Sequence, residues 1–205
     1  MDALEAIRTR RSVRKFKSRA IPDSALYTIL ESARWAPSAN NLQPWQVIVV
    51  EDEGTKKLIA EESLEQDFIA DAPIVLVICS RPGPCEKEFE ELGEKFCTQS
   101  VAAAVQNILI TANSLGLGAC WIGSFAEAKL RKELKLPEGI SVDAVIPIGW
   151  PAEKTRPAGK RELADFVFFE KYGNSGRGSD MFPISEQIGK IKKGLKEFAH
   201  RLKNK

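Results

Sequence analysis

Ala36-Pro37-Ser38-Ala39-Asn40-Asn41-Leu42-Gln43-Pro44-Trp45 is the stretch on which the reading of this chain turns. Two prolines bracket small and amide residues, and the apolar run Val47–Val50 follows at once. A residue before proline is pushed out of the α region, so Ala36 and Gln43 are expected in extended or turn conformations. The segment therefore reads as a rigid connector between a helix and a buried strand. It presents Ser38, Asn40, Asn41 and Gln43, which donate and accept hydrogen bonds but carry no charge. Such a row suits a flat, neutral, heteroatom-rich ligand better than an acid or a metal.

Upstream, seven of the twelve residues from Arg8 to Arg19 are basic, in a chain whose net charge is only +2. A charge this local needs a local explanation. Three remain open on the residues alone: a nucleic-acid or localisation arm, a phosphate site with Arg forks around the Ser12 hydroxyl, or a solvated loop. Val13 and Phe16 interleave the charges and Ile21 follows them, which argues against a free disordered arm.

With 205 residues, 43% of them apolar, the chain can bury a sizeable core, most simply as one domain. No apolar run approaches the roughly 20 residues a membrane helix requires, and no secretory h-region is visible at the N-terminus. Cys79, Cys85, Cys97 and Cys120 have neither a CxxC pair nor metal-ligand spacing. Free thiols in a reducing cytoplasm are expected. The one histidine, His200, argues against Ser-His-Asp, Cys-His and most zinc chemistry. An enzyme so poor in histidine takes its chemistry from a cofactor.

Periodicity predicts a helix capped by Asp23 and stopped by Pro37. Val47–Val50 and Ile74–Ile78 read as strands covered on both faces, with helical spacing over 54–71 between them. The charged, Pro- and Gly-containing 81–95 reads as a mobile excursion over the substrate entrance. The strongest helix, 98–115, is apolar almost all round, as at a core or subunit interface, and Gly116 is its C′ residue. Ile140, Val142, Ala144, Ile146 and Ile148 alternate as a strand with Pro147 near its end. Trp35, Trp45 and Trp150 read as core. Beyond a polar hinge at 173–180, Ile184, Ile188, Ile191, Leu195, Phe198 and Leu202 form a heptad-like stripe. It reads as a docked terminal helix with solvated lysines rather than as a nucleic-acid or anionic-surface helix.

Four blocks in register carry a resemblance. They are Arg10-Arg11-Ser12-Val13-Arg14-Lys15-Phe16, Pro37–Trp45, Gly116-Leu117-Gly118-Ala119-Cys120-Trp121-Ile122-Gly123, and Gly159-Lys160-Arg161-Glu162-Leu163. Together they make the chain similar to the FMN-dependent nitroreductase family over roughly residues 1–173. Leu42 departs from the small or polar residue many members carry. A dinucleotide fingerprint is rejected at the third block, because Trp121 stands where the last glycine belongs and a helix precedes it.

The resemblance implies an α+β fold, with a central, mostly antiparallel sheet flanked by helices in an intertwined homodimer. It implies an FMN-binding domain at 1–173, with 174–205 a hinge and basic amphipathic helix of the same dimer. It assigns FMN contacts to Arg10, Arg11, Ser12, Arg14, Pro37, Ser38, Ala39, Asn40, Asn41, Gln43, Trp121, Ile122, Gly123, Ser124, Lys160 and Arg161, with no catalytic side chain and no metal. The phosphate falls to Arg10, Ser12, Arg14, Lys160 and Arg161, and flavin N5 to the backbone at Gly123 or Ser124. Pro37–Asn40 reaches the partner subunit's flavin. The implied activity is ping-pong hydride transfer from NAD(P)H to a small oxidised acceptor such as a nitroaromatic or quinone. Dehalogenase-like and flavin-cleaving enzymes share the scaffold and stand as alternatives. A nucleic-acid-binding module using the basic arm and tail is the alternative outside enzymes.

Overall fold

The computed structural model describes residues 1–174; the heptad-like stripe from Ile184 to Leu202 lies outside the described residues. These divide into one unit spanning 1–156 and a second beginning at Pro157.

The first unit is built on a four-stranded antiparallel sheet: β1 (Trp45–Val50), β2 (Ile74–Ser80), β3 (Gly118–Ala119) and β4 (Ser141–Gly149), in the spatial order β1-β2-β4-β3. Its helices are α1 (Ala3–Thr9), α2 (Asp23–Arg34), α3 (Glu53–Glu62), α4 (Gly83–Phe89), α5 (Gly93–Ser114) and α6 (Glu127–Glu133). On one face Ile74, Leu76 and Ile78 of β2 and Ala144, Ile146 and Ile148 of β4 pack against α2 and α5. The other face, with Val75, Val77 and Cys79, packs against α3 and α6. Every residue of β2 is buried, as its unbroken apolar run requires. β1 is the edge strand instead: Val49 is exposed, and only Val50 is fully buried. Among the described residues the run Val47–Val50 is thus not covered on both faces, and no described strand pairs beyond it.

α5 closes as its sequence predicts. Gly116 takes φ +78, its N–H reaches the Asn113 carbonyl at 3.0 Å, and the Leu117 N–H reaches that of Ala112 at 2.9 Å. This paired 5→2 and 6→1 pattern needs a left-handed residue that glycine supplies at no steric cost.

Several expectations give way. Asp23 lies inside the first turn of α2; Pro22 is the N-cap residue, its carbonyl accepting from Ala25 and Leu26. The helical spacing of 54–71 breaks at Glu62, since Leu64 and Glu65 adopt φ of +60 and +55. Residues 81–95 form α4, a 3-10 turn and the start of α5 rather than an irregular excursion. Pro82 and Pro84 start that helix, where a missing N–H costs nothing. Trp35 is 73% exposed, not core. Along β4 the register slips opposite Ile78 and Cys79: Val142 pairs with Cys79 and Ala144 with Ile78, leaving Asp143 as the extra residue. This bulge moves Ile140 and Val142 to the α3 and α6 face, while Ala144, Ile146 and Ile148 keep the other. Pro147 stands near the end of β4, as expected. The carbonyl of Pro147 accepts from Cys120 at 3.3 Å, but proline cannot return the second bond, and β3 stops after Ala119. No helix of the described residues is long and apolar enough to cross a membrane.

The bulged Asp143 leaves Oδ2 without a hydrogen-bond partner among the described residues. Burial pushes its carboxyl upward, Ser80 opposes through a hydrogen bond, and Glu127 raises it further. A carboxyl raised on folding is most favourable when protonated and costs stability as pH rises through its folded value. Asp143→Asn is therefore expected to stabilise the protein at pH 7 in urea denaturation. The gain should fade as pH falls below the ordinary carboxylate range near ~4; an equal gain at both pH values would contradict this.

Candidate functional site

The basic arm is pinned by its apolar residues. Val13 is buried, its N–H bonds the Ala119 carbonyl at 3.0 Å, and Ser12 pairs in parallel with Ala119. A Cβ on Gly118 would stand 2.5 Å from a methyl of Val13, so only glycine lets the arm lie this close. Farther along, Phe16 pairs with Pro151 and packs on Gly149. The charges then part company. Arg11 turns back onto the carbonyls of Arg8 and Arg10 at 2.7 and 2.8 Å, and Lys15 pairs with Glu153 at 3.0 Å. Arg10 and Arg14 make no ion pair and no side-chain hydrogen bond among the described residues; Arg14 only lies 5.8 Å from the ring centre of Phe68.

Both charges act on Cys120 of the third block. Burial pushes its thiol up, and Arg14, Ser12 and Arg10, in that order, pull it back. The arm and the third block meet through Ser12 beside Ala119 and Val13 against Gly118, and the charges of Arg10 and Arg14 are felt at the Cys120 thiol. None of the four thiols is poised for nucleophilic work: all are buried, and burial raises Cys79 to about 11 and Cys97 to about 12.

Past Cys120, Trp121 is exposed, and Ile122 is buried in a two-bond pair with Val145. Gly123 and Ser124 are exposed, and their backbone N–H groups bond no described residue. They open onto a cleft of about 720 Å³ whose other walls include Glu61, Leu64, Glu65 and Phe125. Leu64 and Glu65 were not legible as site residues. Left-handed pairs normally announce themselves by Gly or Asn, and Ser63-Leu64-Glu65 has neither.

The Pro37–Trp45 connector is rigid. Ser38 Oγ accepts from the Gln43 N–H at 3.0 Å, the Ala39 N–H reaches Ser100 Oγ on α5 at 3.2 Å, and Asn40 Nδ2 donates to Glu88 on α4 at 2.6 Å. Asn40, Asn41 and Gln43 have φ of +49, +58 and +48. Asparagine tolerates this region; for Gln43 it makes a turn, not an extended residue, and its amide bonds back to Asn41. The connector enters β1, whereas the arm and the third block ride on β3. β2 and β4 lie between, which is three strand spacings or about 14 Å across the sheet. One chain thus lays the arm that carries Arg10, Ser12 and Arg14 on the block that runs into Trp121–Ser124, but holds Pro37, Ser38, Ala39, Asn40, Asn41 and Gln43 at the opposite edge. Lys160 and Arg161 belong to the second unit. There Arg161 reaches the Asp165 carbonyl at 2.5 Å and lies over the Phe166 ring, and Lys160 is exposed.

The Nitroreductase family profile matches residues 7–66 and 59–150. The chain belongs to the nitroreductase family. A provisionally named NADH dehydrogenase/NAD(P)H nitroreductase of Methanothermobacter thermautotrophicus is 37% identical over 169 residues, 80% of this chain and 84% of that one. The FMN reductase [NAD(P)H] of Bacillus subtilis is 26% identical over 170 residues, 75% of this chain and 68% of its own length. An FMN-dependent nitroreductase of Clostridium difficile superposes with a TM-score of 0.71 at 27% identity, covering 82% of this chain and 99% of the other. The α+β architecture expected for a nitroreductase, an antiparallel sheet between helices, is the one observed.

The close approach at Gly118 fixes the arm. Gly118→Ala should overpack Val13 and destabilise the fold by about 1–3 kcal/mol, read as a lowered urea midpoint at unchanged slope. A midpoint equal to wild type would mean that the arm moves freely against β3.

Proposed function

We propose that the chain is an NAD(P)H-dependent oxidoreductase that binds FMN in a site completed by a second copy of itself. The observation that carries this reading is an arm laid on the third block, Ser12 beside Ala119 and Val13 against Gly118, whose Arg10 and Arg14 have no counter-ion among the described residues. Unpaired guanidinium forks beside a hydroxyl fit a phosphate monoester. The free N–H groups of Gly123 and Ser124 fit a ring acceptor at the far end of the same ligand. Neutral amides at Asn41 and Gln43 fit an imide-like edge, and their position across the sheet fits delivery from the partner copy.

When bound, FMN supplies hydride chemistry at its N5. The chain's part is to position and to stabilise charge. Arg10 and Arg14 hold the phosphate end, Gly123 and Ser124 orient the reactive edge, and Leu64 and Phe125 wall a cleft wide enough for a flat acceptor. Hydride transfer requires no protein acid or base at the reacting carbon, so alignment carries the catalysis. The cleft receives NAD(P)H first and an oxidised acceptor such as a nitroaromatic or quinone afterwards, in ping-pong order. The names of the Bacillus subtilis and Clostridium difficile proteins support the cofactor and the class of reaction.

Arg14→Ala is the direct test. Losing one charge-assisted hydrogen bond, worth about 1.5–3 kcal/mol, should weaken FMN roughly ten- to a hundred-fold. Riboflavin, which lacks the phosphate, should bind as before. If the ratio of FMN to riboflavin affinity is the same in wild type and variant, Arg14 does not hold a phosphate.

A further inference from the structure

A second cavity, of about 430 Å³, lies away from the cleft at Gly123, between the strap 16–20, the first turn of α3 and the turn 70–73. Its strap is fixed: the Lys17 N–H bonds the Trp150 carbonyl at 2.8 Å, and Trp150 Nε1 bonds that of Ala20 at 3.1 Å. Arg19 stacks its guanidinium 4.2 Å over the Trp150 ring. Stacking occupies the face of the fork, and its N–H groups bond no described residue. Across the cavity Lys56 is 7% exposed, and its Nζ donates to the Ala72 carbonyl at 2.9 Å. An ammonium has three donors, and no carboxylate lies within ion-pair distance of it among the described residues.

The Lys56 charge helps lower the Asp52 carboxyl, but Asp52 stands beyond ion-pair distance, and a buried cation without a direct partner is unfavourable. Tying down the Ala72 carbonyl accounts for one donor and gives no reason for a charge. Glu53 and Asp71 also line the cavity and repel any anion, so the occupant must be small enough to touch both cations directly. We propose that this cavity binds a small oxyanion, a phosphate or carboxylate group, between Lys56 Nζ and the Arg19 guanidinium, with the Ser18 hydroxyl as a third donor. The site is independent of the FMN reading, since it shares no residue with Arg10, Ser12 or Arg14.

The test uses the full chain saturated with FMN, so that the phosphate grip of the flavin site is filled. Inorganic phosphate and, separately, acetate are titrated at constant ionic strength, with chloride as control, followed by calorimetry and thermal unfolding. Saturable binding is expected, weakened roughly tenfold or more by Lys56→Met, which is the loss of about one charged contact. Arg19→Gln, at an exposed position, should weaken it similarly and decides the matter should Lys56→Met fail to fold. Phosphate binding with acetate inert assigns the site to phosphoryl groups, and binding of both assigns it to oxyanions in general. Absence of saturable binding by either anion, or binding that both variants retain at wild-type strength, overturns the proposal.

Discussion

β2 and β4 pair along Ile74–Ser80 and Ser141–Gly149, and from Ala144 onward both strands are buried on either face by helices. Pairing of that kind leaves no room for a ligand in the middle of the sheet. Chemistry is displaced to the two edges, and each edge is prepared differently. At β3 the arm is drawn onto the strand by Val13 against Gly118. At β1 the connector is bonded to α4 and α5 through Asn40 and Ala39. The two halves of the proposed flavin site are therefore rigid, well formed and about 14 Å apart across the sheet. In the proposed site the complementary edge comes from a second copy, as closed two-fold assemblies allow.

The electrostatics of the arm follow from the same packing. Once Val13 and Phe16 are committed inward, the cations between them must find partners or remain free. Arg11 closes onto α1 and Lys15 onto Glu153. Arg10 and Arg14 are left over, close enough for their charge to be felt at Cys120 of the third block. A net charge of +2 over the whole chain conceals this entirely; the residual charge comes from which arginines are satisfied, not from how many there are.

Much of this was legible in the sequence, and the physical reasons for the rest are specific. The run Ile74–Ile78, the helix closed by Gly116 and the folded character of an arm that interleaves Val13 and Phe16 all follow from short-range rules. The bulge at Asp143 does not, because the alternation from Ile140 to Ile148 is unbroken in sequence and only the partner strand shows the slip. α4 is hidden in the sequence because its charge and its Pro and Gly make 81–95 read as an excursion, whereas the prolines stand at a helix start. Leu64 and Glu65 entered the site through left-handed backbone that their identities do not advertise. The separation of the first and second blocks across the sheet is a property of strand order, which no motif in either block encodes.

Complementation between variants tests the two-copy site most directly. Arg14→Ala impairs the half at β3 and Asn41→Ala the half at β1, so each variant alone should hold FMN poorly. When the two are mixed and allowed to exchange subunits, half the pairs are mixed, and each mixed pair rebuilds one intact site. About a quarter of all sites should then bind FMN at wild-type strength, counted by flavin absorbance after gel filtration. A mixture that retains no more FMN than the two variants measured separately would contradict the account.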